Sequence, residues 1–384
     1  MSQPQRPLDR IEDAIEDIKN GKVIIVVDDE DRENEGDFVA AARFATPEMI
    51  NFMATEGRGL ICAPLVEDRC ESLGLELMVS RNNAAYETPF TVSVDLVGHG
   101  CTTGISAADR SKTIKALIDP NIRPDELGRP GHIFPLKARK GGVLRRAGHT
   151  EAAIDLARLS GLEPAGVIVE IMNADGTMAR LPELLDMAER LDMRIVSIED
   201  LIAYRITNDT LIQRTGTREI QTSHGAFTLH TYRQTTDDSE HFALTKGEWS
   251  SGDAVPVRMH ASTPHLDILL DATLGKGQTL QRAIETIGMM EFGALVYLQK
   301  PSVSWADTLQ RAAETGEQQP RNADVGEAEV ARKQGRAFGL GAQILRDIGI
   351  QRLKLMSDTA TVTKGMTLYG LEITEVISTG APST

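Results

Sequence analysis

The stretch K-V-I-I-V-V-D-D, Lys22–Asp29, decides the fold of the first half of the chain. Its β-branched apolar run is short and stops at charged residues, which is typical of a strand buried on both faces. It continues directly into D-D-E-D-R-E-N-E-G-D, Asp28–Asp37, where seven of ten residues are acidic. A buried strand that ends in a charged loop predicts a sheet with polar chemistry at its edge.

Helices and strands follow one another on both sides of this strand. Asp9 can cap a helix whose apolar positions are Ile11, Ile15 and Ile18 and which ends at Gly21. Further strands are predicted at Phe38–Phe44, Leu60–Leu65, Phe90–Leu96 and Gly166–Met172, and further helices at Thr46-Pro47, Ser106, Thr150 and Pro182. This order favours a mixed α/β (α+β) architecture over a Rossmann-type sheet.

The length of 384 residues suits two domains. Polar and turn residues dominate between residues 206 and 216, so we expect a first domain over 1–206 and a second over 217–384. In the second, F-T-L-H-T-Y-R and A-V-P-V-R-M-H predict strands and T-L-Q-R-A-I-E-T-I predicts a helix. Each domain is therefore expected to be a mixed sheet with flanking helices, and the polar stretch 314–327 a loop.

Composition excludes several classes of protein. The formal net charge of -15 argues against a nucleic-acid partner, because surfaces that bind phosphate backbones are basic. No run of 18 apolar residues predicts a membrane span, and the first residues lack the apolar core of an export signal. The expected location is the cytoplasm. The three cysteines, Cys62, Cys70 and Cys101, indicate neither a disulfide framework nor a four-cysteine zinc site.

The acidic stretch Asp28–Asp37 has two interpretations. An arbitrary acidic run is usually a solvated loop. Here the run follows a buried strand, contains Arg32, which can bind an anion, and contains Gly36, which allows a tight turn. Carboxylate oxygens grouped in this way suit Mg²⁺, so the stretch is a candidate metal site.

A second candidate is G-G-V-L-R-R-A-G-H-T-E, Gly141–Glu151, which leads into a helix. Free amides at a helix start bind phosphate, and Arg145, Arg146 and the Thr150 hydroxyl are placed to assist. His149 is either a ligand or acid–base group, or a packed and hydrogen-bonded residue.

Three weaker signals also have structural interpretations as a turn, a cap or an ion pair. His132 lies between two prolines in R-P-G-H-I-F-P, which indicates a rigid loop. Glu170 lies within an apolar run, where a carboxylate needs a partner or a raised pKa. T-T-G-I-S-A-A-D-R, Thr102–Arg110, is a turn into a helix with several hydroxyls.

Together these segments resemble the 3,4-dihydroxy-2-butanone 4-phosphate synthase family of riboflavin biosynthesis. The motifs lie in the family's order within the first ~205 residues: Asp28–Asp37, Tyr86–Val92, Thr102–Arg110, R-P-G-H-I-F-P-L, R-A-G-H-T-E-A and G-T-M-A-R. The resemblance implies a lyase that converts D-ribulose 5-phosphate to L-3,4-dihydroxy-2-butanone 4-phosphate and formate with Mg²⁺ or Mn²⁺. It also implies a homodimer with active sites at the subunit interface.

The resemblance implies roles for individual residues. Glu33 and His149 hold the metal, with Glu35 close by. The substrate contacts Arg32, Glu33, Asp37, Arg146, Gly148, His149, Thr150 and Glu170. The catalytic residues are His132, Glu170, Asp37 and Cys62.

The second half resembles GTP cyclohydrolase II, in T-S-H-G-A-F (Thr222–Phe227), P-V-R-M-H (Pro256–His260) and Gly339–Gly349. That family binds zinc through three cysteines, and those positions fall here on Thr263, Leu274 and Lys276. Its R-Q-E-G-R segment reads Q-K-P-S-V, Gln299–Val303. We therefore expect no zinc and no opening of the GTP ring, with His260 and His265 not replacing the lost ligands.

Three alternatives stay open. One is a bifunctional synthase and GTP cyclohydrolase II, which a zinc assay would distinguish. A non-catalytic scaffold is another, and substitution of Glu33 would leave it unaffected. The third is a different metal-dependent isomerase of sugar phosphates, which its products would reveal. The role of the second domain in nucleotide binding, regulation or dimer support is not decided by the sequence.

Overall fold

The computed structural model describes residues 7–30, 32–84, 86, 88–237, 239–261, 267, 279–299, 339–357 and 371–377. The chain divides into two compact units, Met1–Arg205 (unit 1) and Ile206–Thr384 (unit 2). Among the described residues each unit contains one seven-stranded sheet of mixed direction with flanking helices, which confirms the predicted fold class. Within the same residues, every helix is too short or too polar to span a bilayer.

Unit 1 has its sheet in the order β4-β5-β3-β6-β2-β1-β7. Its strands are β1 (Ile24–Val27), β2 (Gly36–Ala41), β3 (Cys62–Leu65), β4 (Val94–Leu96), β5 (Leu127–Lys137), β6 (Gly166–Glu170) and β7 (Ile195–Ser197). Its helices are α1 (Ile11–Lys19), α2 (Pro47–Phe52), α3 (Glu67–Ser72), α4 (Ala107–Ile118), α5 (His149–Leu159) and α6 (Leu181–Arg190). A further helix, α7 (Ile198–Asn208), begins in unit 1 and ends just after its boundary.

Strand β1 is buried along its whole length, as the sequence predicts. It pairs antiparallel with β2 and parallel with β7, and two separate apolar clusters pack around it. The register sets Val26 opposite Asp37, and Asp37 opposite Glu170 of β6. Strand pairing therefore brings two distant carboxylates side by side at the end of the buried strand.

The observed helix starts test the capping residues that the sequence predicts. The Thr46 hydroxyl accepts the amide of Met49 and Pro47 opens α2, which confirms the predicted start. Ser106 likewise caps α4. The predicted cap at Asp9 is wrong, because its carboxylate instead accepts the amide of Ile195 at 2.9 Å.

The predicted start of α5 at Thr150 is also wrong. The helix begins at His149, with Gly148 as the residue before it, and Thr150 is buried. His149 is thereby placed in the first turn of the helix, where it enters the interior of unit 1.

The segment Arg129–Pro135, predicted as a rigid loop, lies within the 11-residue strand β5. It pairs with β4 through Ile133 and with β3 through Phe134. Strand pairing holds Ile133–Pro135, and the amides of Gly131 and His132 donate to the side chains of Ser93 and Asp95. These non-local contacts outweigh the two prolines.

The acidic turn between β1 and β2 does not depend on Gly36 as predicted. The residue with a left-handed backbone is Asn34, at φ 55°, a conformation that asparagine tolerates. Gly36 is needed for space, because a Cβ there would lie 2.5 Å from a methyl carbon of Leu184.

Unit 2 has the sheet order β14-β13-β11-β12-β10-β9-β8. Its strands are β8 (Ile212–Thr222), β9 (Gly225–Gln234), β10 (Glu240–Lys246), β11 (Ala254–Ala261), β12 (Gly293–Leu298), β13 (Arg352–Met356) and β14 (Glu372–Ile377), with helix α8 (Thr279–Met289) and a helical segment over 339–347. The predicted loop at 314–327 and the positions Thr263, His265, Leu274 and Lys276 lie outside the described residues.

Candidate active site

The acidic loop is organised around Asp28. Its side chain is almost fully buried, and its two oxygens accept the backbone amides of Glu33 at 3.1 Å and Glu35 at 2.8 Å. The same carboxylate accepts Nη1 of Arg32 at 2.7 Å. These bonds fold the loop back on itself, so that the following carboxylates face the interior of unit 1 and not solvent.

Arg32 and Glu33 form a close pair inside the loop. Arg32 Nη1 donates to Glu33 Oε2 at 2.5 Å and Nη2 to Oε1 at 3.2 Å. Burial raises the pKa of Glu33, but attraction to His149 and Arg32 outweighs it and lowers the pKa to about 2. Glu33 is therefore a permanent anion at neutral pH.

His149 is buried and points toward two carboxylates. Its Nε2 contacts the Val26 carbonyl oxygen at 3.1 Å, so that nitrogen carries a hydrogen. Its Nδ1 lies 3.8 Å from Glu33 Oε2 and 3.9 Å from Asp37 Oδ1. Burial lowers the pKa of His149, but Asp37 and Glu33 raise it further, to a net value of about 9.

Asp37 and Glu170 complete this side of the site. Asp37 is buried, and its Oδ1 has no hydrogen-bond partner among the described residues. Burial raises the pKa of Asp37 to about 7, with further contributions from Glu170 and Glu33. Glu170 is the last residue of β6 and not a mid-strand residue as predicted, and its carboxylate accepts the Leu60 amide at 2.8 Å.

Ligand atoms of Asp28, Glu33 and His149 all lie within 4.8 Å of one another. This set shares Glu33 and His149 with the predicted metal ligands, but it contains Asp28 where the prediction has Glu35. Glu35 lines one cavity together with Glu33 and His149, and burial and the charge of Glu33 raise the pKa of Glu35. Carboxylates and one imidazole are the donor types that hold Mg²⁺ or Mn²⁺.

Two arginines, Arg32 and Arg146, bring positive charge to the same site. Arg146 Nη1 donates to the buried Glu151 at 2.7 Å. At Gly148, a Cβ would lie 2.4 Å from Arg146 Nη1 and 3.1 Å from Arg32 Nη2, so both guanidinium groups approach the start of α5. A helix start with two arginines is suited to bind a phosphate.

Most of the predicted site residues line one cavity of about 90 Å³. Its lining includes Arg32, Glu33, Glu35, Asp37, Cys62, Arg146, His149, Thr150 and Glu170, together with Thr88, Phe90, Leu136 and Ile168. Cys62 is buried on β3, where burial and then Glu170 raise the pKa of its thiol. Cys62 therefore meets the cavity as a neutral thiol.

His132 does not line this cavity, in contrast to the other predicted catalytic residues. It lies on β5, 43% exposed, and its Nδ1 lies 2.6 Å from Asp95 Oδ2. The other oxygen of Asp95 accepts the His132 backbone amide at 2.9 Å. This arrangement fixes the imidazole and leaves Nε2 as its outward nitrogen, as in an Asp–His acid–base pair.

The sequence interpretation missed three supporting residues. Arg180 donates to the carbonyl oxygens of Glu33 at 3.0 Å and of Asn34, and so holds the acidic loop from outside. Asp28 organises the loop, and Glu151 fixes Arg146. The signal for Arg180 was its place at the end of the motif G-T-M-A-R.

In unit 2, His260 has a different environment. Its Nε2 lies 2.8 Å from Asp267 Oδ1, and the Tyr297 hydroxyl donates to Asp267 Oδ2 at 3.1 Å. The rings of His260 and Tyr297 stack with centroids 5.6 Å apart. The carboxylate is thus shared by a histidine and a tyrosine.

Comparison with known proteins gives two family matches. Residues 12–204 match the model for 3,4-dihydroxy-2-butanone 4-phosphate synthase, and residues 213–378 match that for GTP cyclohydrolase II. The riboflavin biosynthesis protein RibBA of Cytophaga hutchinsonii is 50% identical over 380 residues, which cover 99% of this chain and 94% of that protein. RibBA of Porphyromonas gingivalis is 46% identical, covering 96% and 92%.

Solved structures agree. RibBX, a two-domain 3,4-dihydroxy-2-butanone 4-phosphate synthase from A. baumannii, has a TM-score of 0.73 and 41% identity, covering 95% of this chain and 99% of that one. A 3,4-dihydroxy-2-butanone 4-phosphate synthase in complex with two magnesium ions has a TM-score of 0.51 and 41% identity, covering 53% of this chain and 99% of that one. The chain therefore belongs to the riboflavin-biosynthesis family in which a 3,4-dihydroxy-2-butanone 4-phosphate synthase domain precedes a GTP cyclohydrolase II domain.

Proposed function

We propose that unit 1 converts D-ribulose 5-phosphate to L-3,4-dihydroxy-2-butanone 4-phosphate and formate in the cytoplasm, with Mg²⁺ or Mn²⁺. The observation that carries the proposal is a cavity whose lining includes Glu33, His149, Arg32 and Arg146. The Asp28 carboxylate lies within 4.8 Å of the ligand atoms of Glu33 and His149. A sugar phosphate needs both halves of such a site, since its hydroxyl and carbonyl oxygens suit a cation and its phosphate suits arginine.

The residues present fit a divalent cation. The Nδ1 of His149 lies 3.8 Å from Glu33 Oε2 and 3.9 Å from Asp37 Oδ1, which is too far for a hydrogen bond but close enough for the three atoms to share a cation. The buried Asp37 Oδ1 has no hydrogen-bond partner among the described residues. Asp28, Glu33 and His149 would hold the ion, with Glu35 and Asp37 beside it. When bound, the ion supplies Lewis-acid stabilisation of developing negative charge on substrate oxygens.

The chain's own residues account for binding and orientation. Arg146 and the amides at the start of α5 bind the phosphate, and the Thr150 hydroxyl lies in the same lining. Arg32 contributes a second positive charge from the acidic loop. Fixing the phosphate at one wall places the carbon chain along the carboxylates of the other.

Proton transfer has two candidates within the cavity. Asp37, with a pKa raised to about 7 by burial, can accept and return a proton near neutral pH. Glu170 lies directly opposite Asp37 in the sheet register, and the Leu60 amide orients its carboxylate. We assign Glu170 and Asp37 to the proton steps. Cys62 lines the cavity as a neutral thiol and takes no part in proton transfer.

We propose that His132 acts in the active site of a partner subunit within a homodimer. Its outward Nε2 and its position outside the cavity of its own chain support this assignment. Exposed apolar side chains on unit 1 also support an interface, and they are Leu60, Leu77, Met78, Val79, Tyr86, Val97 and Ile105.

The test is formate release from ribulose 5-phosphate and Mg²⁺ by the full chain, with identification of the second product. Formate together with the four-carbon phosphate is the expected result. An isomerised five-carbon phosphate without formate would show a different sugar-phosphate enzyme. The absence of any product from folded, metal-loaded protein would refute the proposal.

A second function, GTP cyclohydrolase II, has an observation in its favour. The match of residues 213–378 and the name RibBA on full-length relatives favour the bifunctional alternative over the prediction of an inactive unit 2. The chain's own residues oppose it, because its three cysteines lie at positions 62, 70 and 101 and none follows. A zinc site of the cysteine type cannot form in unit 2 without them.

We propose that unit 2 does not hydrolyse GTP through zinc. Zinc content of the purified protein and formate release from GTP decide this. Less than one zinc per ten chains and no formate from GTP are the expected results. Stoichiometric zinc with turnover of GTP would establish the bifunctional alternative.

A further inference from the structure

The segment around Tyr86 lies beside the active site and has no part in the chemistry proposed above. The Tyr86 ring lies against the guanidinium of Arg32, with 5.2 Å between Arg32 Cζ and the ring centroid. Its hydroxyl donates a hydrogen bond to the Arg32 carbonyl oxygen. Tyr86 therefore holds Arg32 at both the side chain and the backbone.

The same segment also holds the second arginine. Arg146 Nη2 donates to the Tyr86 carbonyl oxygen at 3.1 Å and to Thr88 Oγ1 at 3.3 Å. The two arginines are far apart in sequence and are carried by different elements. One short segment thus contacts both of them.

Each guanidinium is fixed from two directions. Asp28 and Glu33 bind one edge of Arg32 while the Tyr86 ring covers its face. The buried Glu151 binds Nη1 of Arg146 while the Tyr86 segment binds Nη2. The two groups thereby approach Gly148 together.

We propose that Tyr86 is a positioning residue that orients the guanidinium groups of Arg32 and Arg146 to bind the phosphate of the substrate. The inference rests on the proposed function of unit 1 and deepens it. Guanidinium groups bind phosphate best when their forked donors are pre-oriented, because less side-chain entropy is then lost on binding. Tyr86 acts on the affinity for the phosphate and not on the proton steps, which are assigned to Asp37 and Glu170.

The test compares Tyr86→Phe and Tyr86→Leu with wild type. Tyr86→Phe keeps the ring over Arg32 and removes the hydroxyl, so KM for ribulose 5-phosphate should rise about 3- to 10-fold. Tyr86→Leu also removes the ring, so KM should rise about 10- to 50-fold. In both variants kcat should stay within about twofold, which is the signature of lost uniform binding.

Two further readouts separate positioning from a general structural role. The inhibition constant of inorganic phosphate should rise by the same factor as KM. The affinity for Mn²⁺, measured by titration of the free protein, should not change. Tyr204→Phe removes a hydroxyl from a half-buried tyrosine on α7 and should leave both constants unchanged.

An unchanged KM in Tyr86→Leu, or a fall in kcat with KM constant, would overturn the inference. So would parallel losses of phosphate and Mn²⁺ affinity. Because wild type is assayed first, absence of formate from wild type would count against the proposed function, whereas active wild type with indifferent Tyr86 variants would count against this inference alone.

Discussion

Two histidines, one in each unit, face carboxylates in different ways. In unit 1, His149 Nδ1 stays 3.8 Å from Glu33 and 3.9 Å from Asp37. In unit 2, His260 Nε2 bonds Asp267 directly at 2.8 Å, and Tyr297 takes the other oxygen of that carboxylate. Ligand atoms that lie within 4.8 Å of one another, as those of Asp28, Glu33 and His149 do, suit a metal. A carboxylate that is hydrogen-bonded to both a histidine and a tyrosine suits structural support.

The comparison teaches that motif residues alone do not define a site. Both histidines lie in motifs of their families, in G-H-T-E and V-R-M-H. Glu33 and Asp37 both lie near the first histidine, and strand register places Asp37 beside Glu170. The second lies in a unit whose family zinc positions hold no cysteine.

The largest expected effect comes from removing a donor of the unit 1 cluster. Glu33→Gln keeps the shape of the side chain but loses the anionic oxygen, so formate release should fall by about 1,000-fold or more. Steady-state assays at saturating Mg²⁺ measure this. Retention of more than a tenth of wild-type activity would show that Glu33 is not a metal ligand.

The next effect concerns the histidine outside the cavity. Asp95→Asn replaces the carboxylate that orients the His132 imidazole with a neutral amide, so kcat should fall about 10- to 100-fold. His132→Ala should reduce kcat at least as far. If both variants had wild-type kcat, the pair would be structural, like His260 with Asp267 in unit 2.

Metal binding in unit 1 should depend on pH. The pKa of His149 is raised to about 9 in the metal-free protein, so below pH 9 a cation must displace a proton from Nδ1. The apparent Mn²⁺ affinity should therefore rise with pH, about tenfold between pH 7 and pH 8. Titration calorimetry in buffers of different ionisation enthalpy measures the released proton. An affinity independent of pH would contradict this account of His149.

The smallest effect on the synthase is expected from unit 2. Asp267→Asn weakens the bonds to His260 and Tyr297 and should lower the free energy of unfolding of unit 2 by about 1–3 kcal/mol. Formate release from ribulose 5-phosphate should stay within about twofold of wild type. A loss as large as that of Glu33→Gln would show that the carboxylate shared by His260 and Tyr297 has a catalytic role.

Local patterns in the sequence were sufficient to predict structural features that depend on a single helix or strand. Strand β1 and the start of α2 at Thr46-Pro47 follow from residues adjacent in the chain. The roles of Glu33 and His149 as neighbours could be expected only through the family resemblance. Their actual spacing depends on β1 pairing with β2 and on α5 beginning at His149, which no local pattern contains.

The errors have the same origin. Asp9 was a plausible cap, but its carboxylate bonds residues near position 195, which are adjacent only in the folded chain. The two prolines of Arg129–Pro135 suggested a loop, but pairing with β3 and β4 makes the segment a strand. Arg180 could not be assigned a role, because its bonds to the acidic loop span about 146 residues. Long-range contacts decided each of these cases.

The most direct test of the central claim is the position of bound metal. Crystals of the full chain soaked in Mn²⁺ should show an anomalous difference peak within coordination distance of His149 and Glu33, and no peak beside His260. A peak at His260, or none at His149 in crystals that bind Mn²⁺, would contradict the account.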